Sequence, residues 1–241
     1  VEFVMPPHTR RFFALGAISV GLAGCAGSGR SFDLSSAVPD WMPFGRGERA
    51  SAGARADYAR IYGPVATEPF PVKPFRYARI DPAFLRQQVA YTGGEAPGTI
   101  VVDPNARFLY RVEAGGRATR YGVGVGREGF AWSGDAQINM KRTWPDWIPP
   151  HAMVERDPDI RSQLEKTPRG TGVAGGPRSP LGARAMYLFA NGDTGYRIHG
   201  TTEPETIGTA VSSGCVRMVN QDIIDLYART PDGTKVVVLS A

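Results

Sequence analysis

The chain has 241 residues, a formal charge of +5, 30 glycines, 20 prolines and two cysteines. That length holds one substantial domain with attachments or two small ones, and scarce helix-type periodicity beside so much Gly and Pro favours a β-rich fold. No dense Lys/Arg run with interleaved aromatics is present, which argues against nucleic acid as a partner; the mild positive balance suits a solvated surface or an anionic polymer.

Arg10 and Arg11 precede an apolar run from Phe12 that ends at Leu22, Ala23, Gly24 and Cys25. A charged start, a short apolar core and small exit residues make residues 1–25 a signal peptide, too short and too rich in Gly and Ala to span a bilayer. The last four residues resemble a bacterial lipobox, and Thr9 to Phe13 partly resembles a twin-arginine export signal. This implies a lipidated Cys25 as the mature N-terminus and a periplasmic address. Ala26 in place of aspartate favours the outer membrane.

Residues 26–96 form a linker and N-terminal extension. Up to about Pro74 the composition is that of a tether with little core of its own. Residues 58–64 fit either a short helix or an extended piece. Asp81 and Pro82 fit an N-cap and a first helical residue, opening a short helix toward Val89.

The domain that carries chemistry is residues 97–241. Thr99 to Asp103 and Phe108 to Val112 are β-branched or apolar strands, separated by the Pro104–Asn105 turn. Arg120 to Gly126 alternates with glycine, as a strand packed against another backbone would. Trp144, Pro145 and Trp147 make an aromatic-proline loop, followed by His151, which has no partner nearby in sequence. Residues 152–166 are charged and read as helical. Residues 170–178 are glycine-rich and read as a mobile lid. Tyr187 to His199 forms a hairpin about Asn191, Gly192 and Asp193. Asn220 fits the N-cap of a helix whose Ile223, Ile224 and Tyr227 share one face. Residues 235–239 close the chain as a buried strand.

Cys215 and His199 lie sixteen positions apart, each beside a glycine, with Arg217 just beyond the thiol. A thiol is mostly protonated at neutral pH, so a nucleophilic cysteine needs a base, usually histidine. The bland alternative is a small buried cysteine near an unrelated histidine. Against it, only two histidines follow the signal segment. Gly200 and Gly214 allow close approach of backbone to a substrate, and N–H groups around Gly214 could meet an oxyanion. Arg217 offers a planar fork for a carboxylate.

His199, Gly200 and Thr201, followed by Ser212, Ser213, Gly214, Cys215, Val216, Arg217 and Met218, resemble the active-site signature of the L,D-transpeptidases with the YkuD-type catalytic domain. The Trp144–Pro145 segment and Ser179, Pro180, Leu181 and Gly182 resemble further parts of that domain. The resemblance implies a mainly β, β-sandwich-like domain with mixed sheets and a short helix after the cysteine. It implies Cys215 as nucleophile, His199 as proton acceptor and donor, and Arg217, Ser213, Gly214 and Gly200 along the substrate. Many relatives carry histidine where this chain has Ser213. The implied reaction breaks the bond to the terminal D-alanine of a peptidoglycan stem tetrapeptide through a thioester. The acyl group then passes to an amine of a second stem or of an outer-membrane protein, with no cofactor or metal. Two alternatives stay open: a hydrolase on the same fold (an L,D-carboxypeptidase or amidase), or a non-catalytic wall-binding lipoprotein.

Overall fold

The computed structural model describes residues 52–126, 132–156, 158–212 and 214–240. The expected signal segment with Cys25, and Ser213, lie outside the described residues. Helix α1 (Ala52–Ile61) precedes two 3₁₀ turns, Tyr77–Arg79 and Pro82–Phe84, and the edge strand β1 (Gln87–Ala90). Then come β2 (Ile100–Asp103), β3 (Phe108–Glu113), β4 (Arg117–Gly122), β5 (Val125–Gly126) and the long β6 (Gly134–Thr143). Short helices α2 (His151–Arg156) and α3 (Pro158–Arg161) lead to a hairpin of β7 (Glu165–Thr167) and β8 (Gly170–Gly172). The chain ends with β9 (Arg184–Phe189), β10 (Asp193–His199), β11 (Ala210–Ser212), β12 (Val216–Arg217), α4 (Asn220–Ala228) and β13 (Thr234–Val238).

Nine strands form one mixed sheet in the order β1-β4-β3-β2-β13-β6-β9-β10-β12. The pairs β2–β13 and β10–β12 are parallel. The sheet curls until its β12 end meets the segment after β4. There Gly124 and Arg217 exchange N–H···O bonds of 2.9 and 2.8 Å. A Cβ on Gly124 would stand 2.8 Å from the Thr206 carbonyl oxygen, so the alternating glycines of this segment permit the closure. Inside lie Ile100, Leu109, Ile138, Leu188, Ile198 and Val236, with Ile223 and Leu226 of α4 packed on them. Each such side chain contributes about 1.5–3 kcal/mol by leaving water. The architecture is the mainly β one that the sequence leads one to expect, with a mixed sheet and a short helix after Cys215.

Several local expectations are corrected. The tether reading fails for residues 57–74: Tyr58 and Tyr62 are buried, with Leu85, against Ile207 and Val219. Tyr62 donates from its hydroxyl to Asp222 of α4 at 3.1 Å, and Gln221 donates to the carbonyls of Gly63 and Lys73. Arg86 adds ion pairs to Asp222 and Asp225, and Glu68 forms a buried pair with Arg184. Tyrosines four apart on one helix turn make a small apolar face that scattered Gly and Pro conceal. Asp81 does cap, accepting from the Ala83 N–H at 2.9 Å, but only a single 3₁₀ turn follows. Residues 87–90 instead pair with β4, because its free edge offers a full ladder.

The 170–178 segment is pinned rather than open. Trp147 and Val173 exchange backbone bonds of 2.9 Å, and a Cβ on Gly172 or Gly175 would strike the Trp147 or Trp144 carbonyl. In the expected 152–166 helical stretch, two short helices stop before the hairpin. Asn220 is the first helical residue rather than the N-cap, which is Val219. Its side chain spans two loops, accepting from the Ala183 N–H at 2.9 Å and donating to the Thr201 carbonyl at 3.0 Å.

Gly182 closes this knot. Its φ is +62°, and a Cβ there would lie 2.3 Å from the Asn220 side-chain oxygen and 2.6 Å from the Thr201 nitrogen. Both the backbone region and the space exclude an alanine. Gly182→Ala should therefore cost about 2–4 kcal/mol, read as a melting temperature lower by roughly 5–10 °C. An unchanged melting curve would contradict this packing.

Candidate active site

His199 ends β10, and β12 runs parallel beside it with Ile198 opposite Val216 and His199 opposite Arg217. Side chains alternate along a strand. Ile198 and Val216 therefore enter the core, leaving Arg197, His199 and Arg217 on the other face. Continuing the register by one residue sets Cys215 beside Arg197, whose backbone N–H donates to the sulfur. Cys215 and His199 are then diagonal neighbours, a relation of about 7–8 Å between backbones that an imidazole and a thiol can close. On the other side of β10, Tyr187 stands opposite Arg197 and Ala185 opposite His199.

The histidine is buried, and its Nδ1 lies 2.5 Å from the Gly200 carbonyl oxygen. A carbonyl only accepts, so Nδ1 carries the proton and Nε2 keeps its lone pair. Burial pulls the His199 pKa down to about 4, with Arg217 and Arg197 adding to the fall and the Gly200 bond opposing it. Burial likewise pushes the Cys215 thiol up, against the Arg197 N–H and the two guanidiniums. The resting pair is thus thiol and neutral imidazole. Any attack by the sulfur would require its proton to move to Nε2.

The predicted residues fall into place unevenly. Cys215, His199 and Arg217 come together on one face, and among the described residues Cys215 forms no disulfide. Gly214 has φ +119°, a conformation that favours glycine, just before Cys215. Gly200 is buried, with its N–H on the Arg184 carbonyl, so its part is to hold the imidazole. Arg217 already grips a carboxylate: its guanidinium donates to Glu203 at 2.7 Å. His151 stands exposed beside Glu155 at the start of α2.

Sequence reasoning gave no site role to four residues here: Tyr187, Arg197, Glu203 and Asn220. Two-residue alternation back from His199 could have marked Arg197. It donates to both Asp193 oxygens at 2.7 and 2.9 Å and stacks 4.2 Å over the Tyr187 ring. Glu203 and Asn220 carry no local signal, because their partners lie far along the chain.

Residues 97–238 match the family model for the L,D-transpeptidase catalytic domain, YkuD. The chain is 30% identical over 156 residues to YbiS of Escherichia coli K12, described as a probable L,D-transpeptidase, which covers 63% of this chain and 47% of that one. A crystal structure from Brucella melitensis, described as a probable carnitine operon oxidoreductase caia, is 52% identical, covers 68% of this chain and 99% of that one, and has a TM-score of 0.44. The oxidoreductase name is that protein's own. An L,D-transpeptidase from Mycobacterium smegmatis aligns at 15% identity over 65% of this chain and 68% of that one, with a TM-score of 0.44. The chain spans less than half the length of the curated relatives it matches.

Proposed function

This chain belongs to the L,D-transpeptidase family through a YkuD catalytic domain, and from that premise we propose that it transfers the acyl group of a peptidoglycan stem tetrapeptide through a thioester on Cys215. The sulfur attacks the carbonyl carbon of the third residue while its proton passes to Nε2 of His199. The tetrahedral intermediate collapses, the C–N bond breaks, and the departing D-alanine amine takes that proton. An acceptor amine then attacks the thioester and gives a proton to His199. The C–S bond breaks, and the thiol recovers its proton from the ring. Backbone N–H groups around Gly214 and Cys215 steady the oxyanion in both halves.

The observation that carries this reading is the bond from His199 Nδ1 to the Gly200 carbonyl. It fixes the one tautomer able to accept a thiol proton at Nε2, on the face that Cys215 shares. Mass spectrometry of products from a purified stem tetrapeptide tests it, with and without an amine acceptor. Release of D-alanine with a mass matching the coupled product is expected. Release that yields only the free tripeptide would make water the acceptor and the protein a carboxypeptidase.

Arg217 lies closest in the chain to the nucleophile, which suits it to the carboxylate of the departing D-alanine. To hold it, the guanidinium must exchange Glu203 for substrate. A charge-assisted contact of this kind is worth roughly 1.5–3 kcal/mol, so Arg217→Ala should lower kcat/KM by about 10- to 150-fold. Glu203→Gln should act in the opposite direction and weakly. The competing pair is half exposed, and such pairs are worth about 0.2–1 kcal/mol, a KM lower by no more than about fivefold. An Arg217→Ala enzyme with unchanged kcat/KM would remove Arg217 from the site.

A further inference from the structure

Lys73, Arg76 and Arg79 recur at a spacing of three, and all of them line one open cavity of about 570 Å³. That volume lies within the range of ligand sites, roughly 300–1,000 Å³. Local structure explains the alignment. Tyr77–Arg79 is a single 3₁₀ turn with Arg76 at its N-cap, and the Arg79 N–H donates to the Arg76 carbonyl at 3.0 Å. Such a turn has three residues per revolution and rises about 2 Å per residue, so side chains three apart stand one above the other. Arg76 and Arg79 therefore leave the same side of the turn, about 6 Å apart along its axis.

The wall that carries them is fixed. The Phe75 N–H donates to the Tyr62 carbonyl at 2.9 Å, and Gln221 of α4 donates to the Lys73 carbonyl at 2.9 Å. Phe75, Ile80, Trp144 and Val219 supply apolar surface to the cavity. Phe70 extends that surface: it packs edge-on against Trp144, with ring centroids 5.2 Å apart, yet stays 37% exposed. Neither Cys215 nor His199 nor Arg217 lines the cavity, so it is distinct from the candidate active site.

Charge says what the cavity would hold. Arg178, Arg184, Arg197 and Arg217 each pair with a carboxylate. Among the described residues Lys73, Arg76 and Arg79 make no ion pair, and all three are exposed. Glu205 is the one carboxylate among the described lining residues. A cleft with an excess of one sign of charge over apolar walls attracts a ligand of the opposite sign. Spacing narrows the choice. Alternate residues of an extended peptide lie about 6.6 Å apart and point to the same side, and the residue between them points to the other. Carboxylates at alternate positions thus match Arg76 and Arg79, and a residue between them faces away from that wall.

We propose that this cavity is a docking site for an extended acidic segment of a partner protein, with alternate carboxylates on Arg76 and Arg79 and an apolar residue between them. No reacting group lines the site, so the proposal stands or falls apart from the stem-peptide reading.

The test is calorimetric titration of the protein at low salt with a capped pentapeptide of alternating aspartate and leucine. Wild type should bind it and should bind the matching lysine–leucine peptide at least tenfold more weakly. Arg76→Gln combined with Arg79→Gln should weaken binding of the acidic peptide by about 5- to 30-fold. Lysine at both positions should restore most of the loss, and Arg117→Gln, an exposed position outside the cavity, should cause none. Glu205→Gln should tighten binding by up to about fivefold, because a like charge is removed. Equal affinity for the two peptides, or a double variant that binds as wild type does, would overturn the proposal. Wild-type protein that ignores the peptide but binds phosphatidylglycerol vesicles through the two arginines would overturn it as well, and make the surface a lipid contact.

Discussion

Cys215→Ala should release no D-alanine from stem tetrapeptides at any pH. Among the described residues at this site, the other polar side chains are guanidiniums, the Asp193 and Glu203 carboxylates paired with them, the imidazole and the Tyr187 phenol, which is buried and bonded to Arg169. An imidazole without the thiol can position water, but that route lacks the acyl intermediate into which the reaction is divided. The variant should nevertheless bind substrate, because Arg217 stays in place. D-alanine measured by a coupled assay, with peptide binding measured in parallel, separates loss of chemistry from loss of fold. Release that persisted in the variant would move the nucleophile elsewhere. Rapid alkylation at neutral pH is a poor substitute for this test. Burial raises the thiol above its ordinary range, so a catalytic Cys215 should alkylate slowly at rest and acylate only when substrate draws its proton toward His199.

What could be read in advance was whatever is written locally. The Asn191–Gly192 turn and the alternation from Tyr187 to His199 lie within a dozen residues, and they form the hairpin of β9 and β10. The thiol and the imidazole stand out as candidates for a different reason: few residue types can do this chemistry, and the chain holds few of them. Unreadable features are those fixed by partners far along the sequence. Tyr62 and Asp222 are 160 positions apart, and Arg184 and Glu68 are 116 apart. Such contacts turn a Gly- and Pro-rich segment into a strap over α4, with no local pattern to announce it. Asn220 makes the same point on a small scale. Its type suggests a cap, yet two backbone groups from the loops before β9 and after β10 satisfy its amide better than its own helix does.

Replacing His199 by alanine should lower kcat/KM at neutral pH by about 10²- to 10⁴-fold, the usual worth of a positioned general base. The pH profiles of the two proteins should then differ in shape. In the wild type the base is lost when Nε2 binds a proton. Because burial holds that event near pH 4, activity should persist through the mildly acidic range where an ordinary histidine would already be charged. The acid limb therefore falls near 4 rather than near the ordinary imidazole value of about 6.5. In His199→Ala the attacking species is whatever thiolate forms unaided, so the rate should climb about tenfold per pH unit. It should not level off near the ordinary thiol value of about 8.5, because burial moves the Cys215 midpoint above the normal range. His199→Gln should follow the alanine profile, since an amide restores a hydrogen bond but not a base. An acid limb near 6.5 in the wild type would mean that the ring is solvated in the working enzyme. A His199→Ala protein with wild-type activity at neutral pH would end the thiol–imidazole mechanism.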